Sequence, residues 1–248
     1  MDASVESMSK ALLIFAKAPE PGKTKTRMVP FLTESCAALL QEAMILDMLR
    51  LTAHCVADRF ILAFPSAKHP FFQKIQAEIG LRCLDQQGND LGERIEGAFH
   101  QTWKEGYEHV VTIGTDSPTL PLFILREAFR RLEDDGIVLG PSIDGGFYLI
   151  GLRKPIEGLF KGIAWGTDRV LTEILTIINR KGQICSLLPF WYDLDRPGDL
   201  LYLVQHLELL RRKKEAYPTE VFRLLQSLHL PSGEPISLEG HERHRTLH

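Results

Sequence analysis

Three groups of side chains have the types and spacing to act on a phosphate-bearing ligand, and the first is acidic. Asp116 stands in VVTIGTDSPTLP, just past Val110, Val111 and Ile113, whose β-branched side chains fit a strand covered on both faces. Acids past such strands border the ligand crevice of open α/β sheets, so Asp116 either contacts a ligand or its metal or only braces its turn. Asp193 and Asp195 follow the last apolar run and alternate along it, and their hard oxygens suit Mg2+ or Mn2+ shared with phosphates. Asp144, in Asp144-Gly145-Gly146 between two apolar runs, is a hairpin-turn residue or a base facing an acceptor. Asp199 falls in the first turn of a predicted helix, where the helix dipole accounts for it.

The second group is basic. KAPEPGKTKTR places Lys17, Lys23, Lys25 and Arg27 beside one acid, Glu20. Ammonium and guanidinium groups so crowded can neutralise a di- or triphosphate, with Thr24 and Thr26 adding hydroxyl donors, whereas a solvated loop needs no ligand. A P-loop is excluded, because the Gly required five positions before Gly22-Lys23 is Lys17. The third group is GNDLGER: Asp90 and Glu93 are spaced as a helix capping box, and Gly88 and Gly92 leave amides open to an anion one turn from Arg94.

The elements that must hold these groups alternate between apolar runs and helical periodicities. Strands are predicted at 11–16, 59–64, 81–84, 110–113, 137–141, 147–152 and 184–188. Helices are predicted at 33–55, 71–79, about 90–107, 121–133, 167–181, 197–214 and 218–229. The repeated β-loop-α order implies a parallel sheet, but Ser142–Gly146 is too short for a crossover helix, so at least one strand is antiparallel. A single domain over 1–230 and a loose tail over 231–248 are expected, the tail carrying His241, His244 and His248.

At 248 residues, 44% hydrophobic and 25% charged, the chain has an ordinary globular composition, and its net charge of -3 offers no basic footprint for nucleic acid. Cys36, Cys55, Cys83 and Cys185 form no CxxC pair and read as buried thiols of a reducing compartment. The N-terminus lacks the apolar core of a signal peptide and no run is long enough for a membrane helix, so a soluble cytoplasmic protein is expected, with no membrane partner.

The blocks FAKAPEPGKTKTR, GNDLGERIEGAF, IGTDSPTLP, LGPSIDGGFYLIGL, IAWGTDRVL and DLDRPGDL, in this order, resemble the family of nucleotide-diphospho-sugar transferase-like proteins of GT-A type fold. These are largely uncharacterised bacterial proteins, some of them assigned as glycosyltransferases of arsenosugar biosynthesis. The family is more distantly similar to the guanylyltransferases acting on 2-phospholactate and on the molybdenum cofactor. The resemblance implies a three-layer α/β/α sandwich with a mostly parallel sheet. It also implies phosphate contacts from Lys17, Lys23, Lys25 and Arg27, a metal near Asp116, and an acceptor side at Asp144, Gly145, Gly146, Trp165 and Thr167. Glycosyltransferases of this fold show an Asp-x-Asp pair after the central strand; here Ser117-Pro118 follows Asp116, which leaves further metal ligation to Asp193 or Asp195.

The expected activity is transfer from a nucleotide-diphospho-sugar to a small-molecule acceptor, with Mg2+ or Mn2+ and the basic loop stabilising the leaving diphosphate. The alternatives are a nucleotidyltransferase that takes a nucleoside triphosphate and releases pyrophosphate, and a nucleotide-binding module without catalysis.

Overall fold

The computed structural model describes residues 9–29 and 31–228. The expected tail and its His residues lie outside them. Among the described residues no helix is long and apolar enough to cross a membrane.

Seven strands form one sheet: β1 (Lys10–Lys17), β2 (Asp58–Phe64), β3 (Arg82–Asp85), β4 (His109–Ile113), β5 (Ile137–Pro141), β6 (Phe147–Leu152) and β7 (Ser186–Leu187). Their spatial order is β3-β2-β1-β4-β6-β5-β7. β1 pairs in parallel with β2 and β4, β2 with β3, and β5 with β7, while β6 runs antiparallel to both β4 and β5. The one reversed strand is the one the short 142–146 join requires. All other strands therefore end at the same edge of the sheet, where β6 begins.

The helices are α1 (Glu34–Thr52), α2 (Pro70–Ile79), α3 (Leu91–Lys104), α4 (Leu122–Asp135), α5 (Val170–Arg180), α6 (Pro197–Arg212) and α7 (Thr219–Ser227). The chain packs as two compact units, the first Met1–Ala18 with Arg50–Asp193, the second Pro19–Leu49 with the chain from Leu194. In the first unit both sheet faces are covered, as the near-continuous apolar strands require. Leu13, Phe60, Val110, Leu139 and Ile150 pack with Phe99 of α3, Phe160 and Ile174 of α5. Across the sheet, a side chain added at Gly151 would meet Val138, Val111 and Leu132 of α4, so α4 lies close on the other face. In the second unit Leu40 and Met44 of α1 pack with Leu203 and Leu207 of α6 and Val221 and Leu225 of α7. There the buried Asp47 accepts from the backbone nitrogens of Glu220 (3.0 Å) and Val221 (2.8 Å), capping α7 from another helix.

Several details differ from the sequence reading. β7 shrinks to two residues, and α5 begins at Val170 because Thr167 turns back, its hydroxyl donating to the Ala164 carbonyl (2.7 Å). Asp90 caps α3 by accepting from the Glu93 nitrogen (2.8 Å), but the Glu93 carboxylate reaches the Asn89 nitrogen (2.8 Å), one residue before the expected reciprocal partner. The four thiols are free and half-buried rather than fully buried.

Candidate active site

The carboxyl edge of the sheet in the first unit holds the acids. β4 ends at Ile113, Gly114 is exposed, and Asp116 lies half-buried between buried Thr115 and Ser117. β5 ends at Pro141, and Ser142–Gly146 turns the chain into β6. Asp144 Oδ1 accepts from the Gly146 nitrogen (2.9 Å), and Gly145 takes φ +88°, which favours glycine. The turn is docked as well as tight: the Leu171 nitrogen donates to the Gly145 carbonyl (2.9 Å), and a Cβ at Gly145 would lie 2.1 Å from the Asp168 oxygen.

Asp193 is the third acid of this edge. It accepts a short hydrogen bond from Ser117 on one oxygen and a bond of 2.7 Å from Ser142 on the other. Burial pushes its pKa up to about 6, the two serine hydroxyls oppose that rise, and the charges of Asp116 and Asp144 add to it. Asp116 and Asp144 are thus each close enough for their charge to act on Asp193.

The start of α3 meets one expected acceptor residue, Trp165. A Cβ at Gly92 would lie 2.8 Å from the Trp165 indole nitrogen and 2.7 Å from the Phe160 carbonyl, and Trp165 packs edge-on against Phe147 with centroids 6.3 Å apart. Arg94 lies over the Phe64 ring at 4.3 Å and donates to the Gly88 carbonyl (3.0 Å). Phe64 is the register partner of Lys17, so Lys17 and Arg94 flank the same aromatic residue.

From Pro19 on, the basic loop belongs to the second unit, and there the structure sorts its cations. Lys25 is buried and left-handed (φ 48°), with Nζ on the Leu194 carbonyl (2.6 Å) and 3.4 Å from Asp195. Arg27 pairs with the other Asp195 oxygen at 2.7 Å. Burial works to raise the Asp195 pKa, but Lys25 and Arg27 outweigh it and hold the carboxylate below its ordinary range. Lys23 is exposed and only loosely paired with Glu20 (3.3 Å), and Thr26 is exposed. Asp199 accepts from the nitrogens of Asp195 (2.9 Å) and Arg196 (2.7 Å), a capping role more specific than a dipole interaction.

Of the expected metal ligands, Asp116 and Asp193 belong to the first unit and Asp195 to the second. Among the described residues no group of three or more His, Cys, Asp or Glu side chains could hold a metal ion. Asp193 turns to Ser117 and Ser142, Asp195 to Lys25 and Arg27. Ser117 and Ser142 are the residues sequence reasoning missed. Each follows a strand, but their shared partner is 76 and 51 residues away.

Residues 45–167 match the model of DUF2064, described as an uncharacterized protein conserved in bacteria. A Desulfovibrio desulfuricans G20 protein, assigned in name to the nucleotide-diphospho-sugar transferases, is 33% identical over 88% of this chain and 94% of its own, with a TM-score of 0.76. The chain belongs to the DUF2064 family. The fold of this DUF2064 protein also resembles a cytidylyltransferase from Leptospira borgpetersenii serovar Hardjo-bovis strain JB197 (15% identity, 94% of this chain and 100% of that one, TM-score 0.55). CMP:2-keto-3-deoxy-manno-octonic acid synthetase, solved with CTP, is similar in the same way (10% identity, 82% and 99%, TM-score 0.52). At such identities the likeness is one of fold. No curated protein matches the DUF2064 chain in sequence.

Proposed function

We propose that the protein is a transferase acting on a nucleotide-diphospho-sugar, with the reacting end of its ligand at the carboxyl edge of the first unit. The observation that carries this reading is the gathering there of three acids from separate stretches of chain: Asp193 bonds to Ser117 beside Asp116 and to Ser142 in the Asp144 turn, and lies within electrostatic reach of both other acids. Acids so placed repel unless a cation or a proton is shared among them. The name of the 33% identical relative supports the same substrate class.

The donor set fits Mg2+ or Mn2+ arriving with the nucleotide better than a resident ion. Magnesium is often held by one or two carboxylates with phosphate oxygens and water completing its shell. Asp116 would be the protein ligand, and the ion would neutralise the charge that develops on the leaving diphosphate. Lys17 and Arg94, beside Phe64, with the Gly88 backbone packed on the α3 start that Asp90 caps, would take phosphates within the first unit. Lys23, Thr26 and Arg27 would offer phosphate contacts in the second unit, where Lys25 holds the loop. Asp144 would accept the acceptor hydroxyl's proton as its oxygen bonds to the anomeric carbon and the bond to the diphosphate breaks. The docked Gly145-Gly146 turn, Trp165 and Thr167 would flank that acceptor.

A second reading, nucleotidyl transfer, is favoured by the missing second acid: Pro118 stands where Asp-x-Asp would place it. Product analysis separates the two. Incubation with Mn2+, a panel of nucleotide sugars and nucleoside triphosphates, and small acceptors should release a nucleoside diphosphate. Pyrophosphate release instead would replace the first reading by the second, and metal-dependent binding without turnover would leave a binding module.

A further inference from the structure

Pro189–Asp193 crosses the ends of β4 and β5 and bonds to both turns that carry acids. The Tyr148 hydroxyl donates to the Pro189 carbonyl (2.9 Å). The Trp191 nitrogen donates to the Pro141 carbonyl (3.1 Å), and its own carbonyl accepts from Ile143 (3.0 Å). Its indole donates to Thr119 Oγ1 (3.2 Å), which in turn donates to the Tyr192 hydroxyl (2.9 Å). At the end of this segment Asp193 accepts hydrogen bonds from the hydroxyls of Ser117, the residue after Asp116, and Ser142, two before Asp144.

We propose that Asp193 is a positioning residue, which clamps the Asp116 turn and the Asp144 turn into one fixed geometry through Ser117 and Ser142, and that it is not a metal ligand. Each serine has one hydroxyl proton, and both are spent on the same carboxyl group. No backbone bond between β4 and β5 can do this work, because β6 lies between them in the sheet. The functional consequence rests on the reading of Asp116 and Asp144 given above; the clamp does not.

The chemistry of the side chain supplies the test. In Asp193→Asn the amide oxygen accepts from one serine and the amide nitrogen donates to the other, so the clamp survives while the charge is lost. Asp193→Ala removes the clamp, and Ser117→Ala with Ser142→Ala removes it while keeping the carboxyl group. Amide hydrogen exchange on the ligand-free protein is followed over residues 114–120 and 142–146, with β1 and β2 as internal controls. Asp193→Ala and the double serine variant should speed exchange in both turns by about tenfold or more, with Asp193→Asn close to the parent. If Asp193→Ala does not fold, Ser142→Ala reports the same loss at the Asp144 turn. In parallel, Mn2+ is titrated into each variant with a nucleoside diphosphate as probe, and Asp193→Asn should stay within about twofold of the parent. Unchanged exchange in both turns of Asp193→Ala overturns the clamp. Loss of Mn2+ binding in Asp193→Asn with parental exchange shows a ligand instead. Absence of Mn2+-dependent binding in the parent itself would count against the Asp116 reading, and the exchange measurement would still decide the clamp.

Discussion

At the scale of single residues, what decides a side chain's role here is which partner it has already taken. Lys25 and Asp195 sit in segments that read as a ligand-binding loop and a metal-binding strand end, yet they pair with each other, and Asp195 also pairs with Arg27. Asp195→Asn removes the charge-assisted contacts to Lys25 and Arg27 while Lys25 keeps the Leu194 carbonyl, so it should lower stability by about 1–3 kcal/mol in urea unfolding. The ion dependence of nucleotide binding should be kept. A variant as stable as the parent would show that the pair does not hold the loop. His109 gives a pH signature of another kind. It is fully buried in β4 with neither ring nitrogen hydrogen-bonded, and burial first, then Arg153, depress its pKa below 6.5, with Lys10 acting the same way and Glu133 and Glu108 opposing. Below 6.5 the unfolded chain takes up a proton that the folded chain refuses. The stability of neutral His109 is therefore complete above that pH and is lost as pH falls from it toward the depressed folded value. Melting temperatures at pH 8 and pH 5 should fall more steeply for the parent than for His109→Leu, and parallel curves would contradict this.

Among the elements, the strands were the most legible in sequence and the joins between them the least. The continuous apolar runs of β1 and β4 announced buried parallel strands, and the five residues between β5 and β6 required the reversal that is found. Helix ends were legible where a local cap set them, as at Thr33, whose hydroxyl accepts from the Cys36 nitrogen (3.1 Å). They were not where tertiary contacts did: Asp47 caps α7 from 173 residues away. The same limit hid the site. Asp116 and Asp144 could be read from their places after strands, but Ser117 and Ser142 acquire meaning only through Asp193, and Lys25 in a run of charges gives no sign of burial. The glycine turn was legible as a hairpin but not as a docking point. Gly145→Ala would place a side chain at positive φ against the Asp168 backbone, and should cost about 1–3 kcal/mol by thermal or urea unfolding. The variant should also lose turnover beyond its loss of folded protein, since the turn carries Asp144. Parental stability would mean the turn can shift freely.

For the whole molecule, the family and the fold stand on sequence identity and shared architecture, while the reaction stands on the acids at one edge of the sheet. An α/β sheet supports many chemistries, and its strand ends narrow the choice only when specific groups are found there. The central claim is that Asp116 carries the divalent-ion dependence of nucleotide binding. The measurement that bears on it most directly is calorimetric titration of a nucleotide-diphospho-sugar into the parent protein and Asp116→Asn, each with and without Mn2+, the sugar nucleotide chosen by the largest thermal shift in a panel. A ligand at about 100 times its Kd should stabilise the parent by about 2.7 kcal/mol, enough to make that choice. Mn2+ should tighten binding to the parent by tenfold or more, about 1.4 kcal/mol. This gain should vanish in Asp116→Asn while the melting temperature without ligand is unchanged. The same Mn2+ effect in both proteins would contradict the claim.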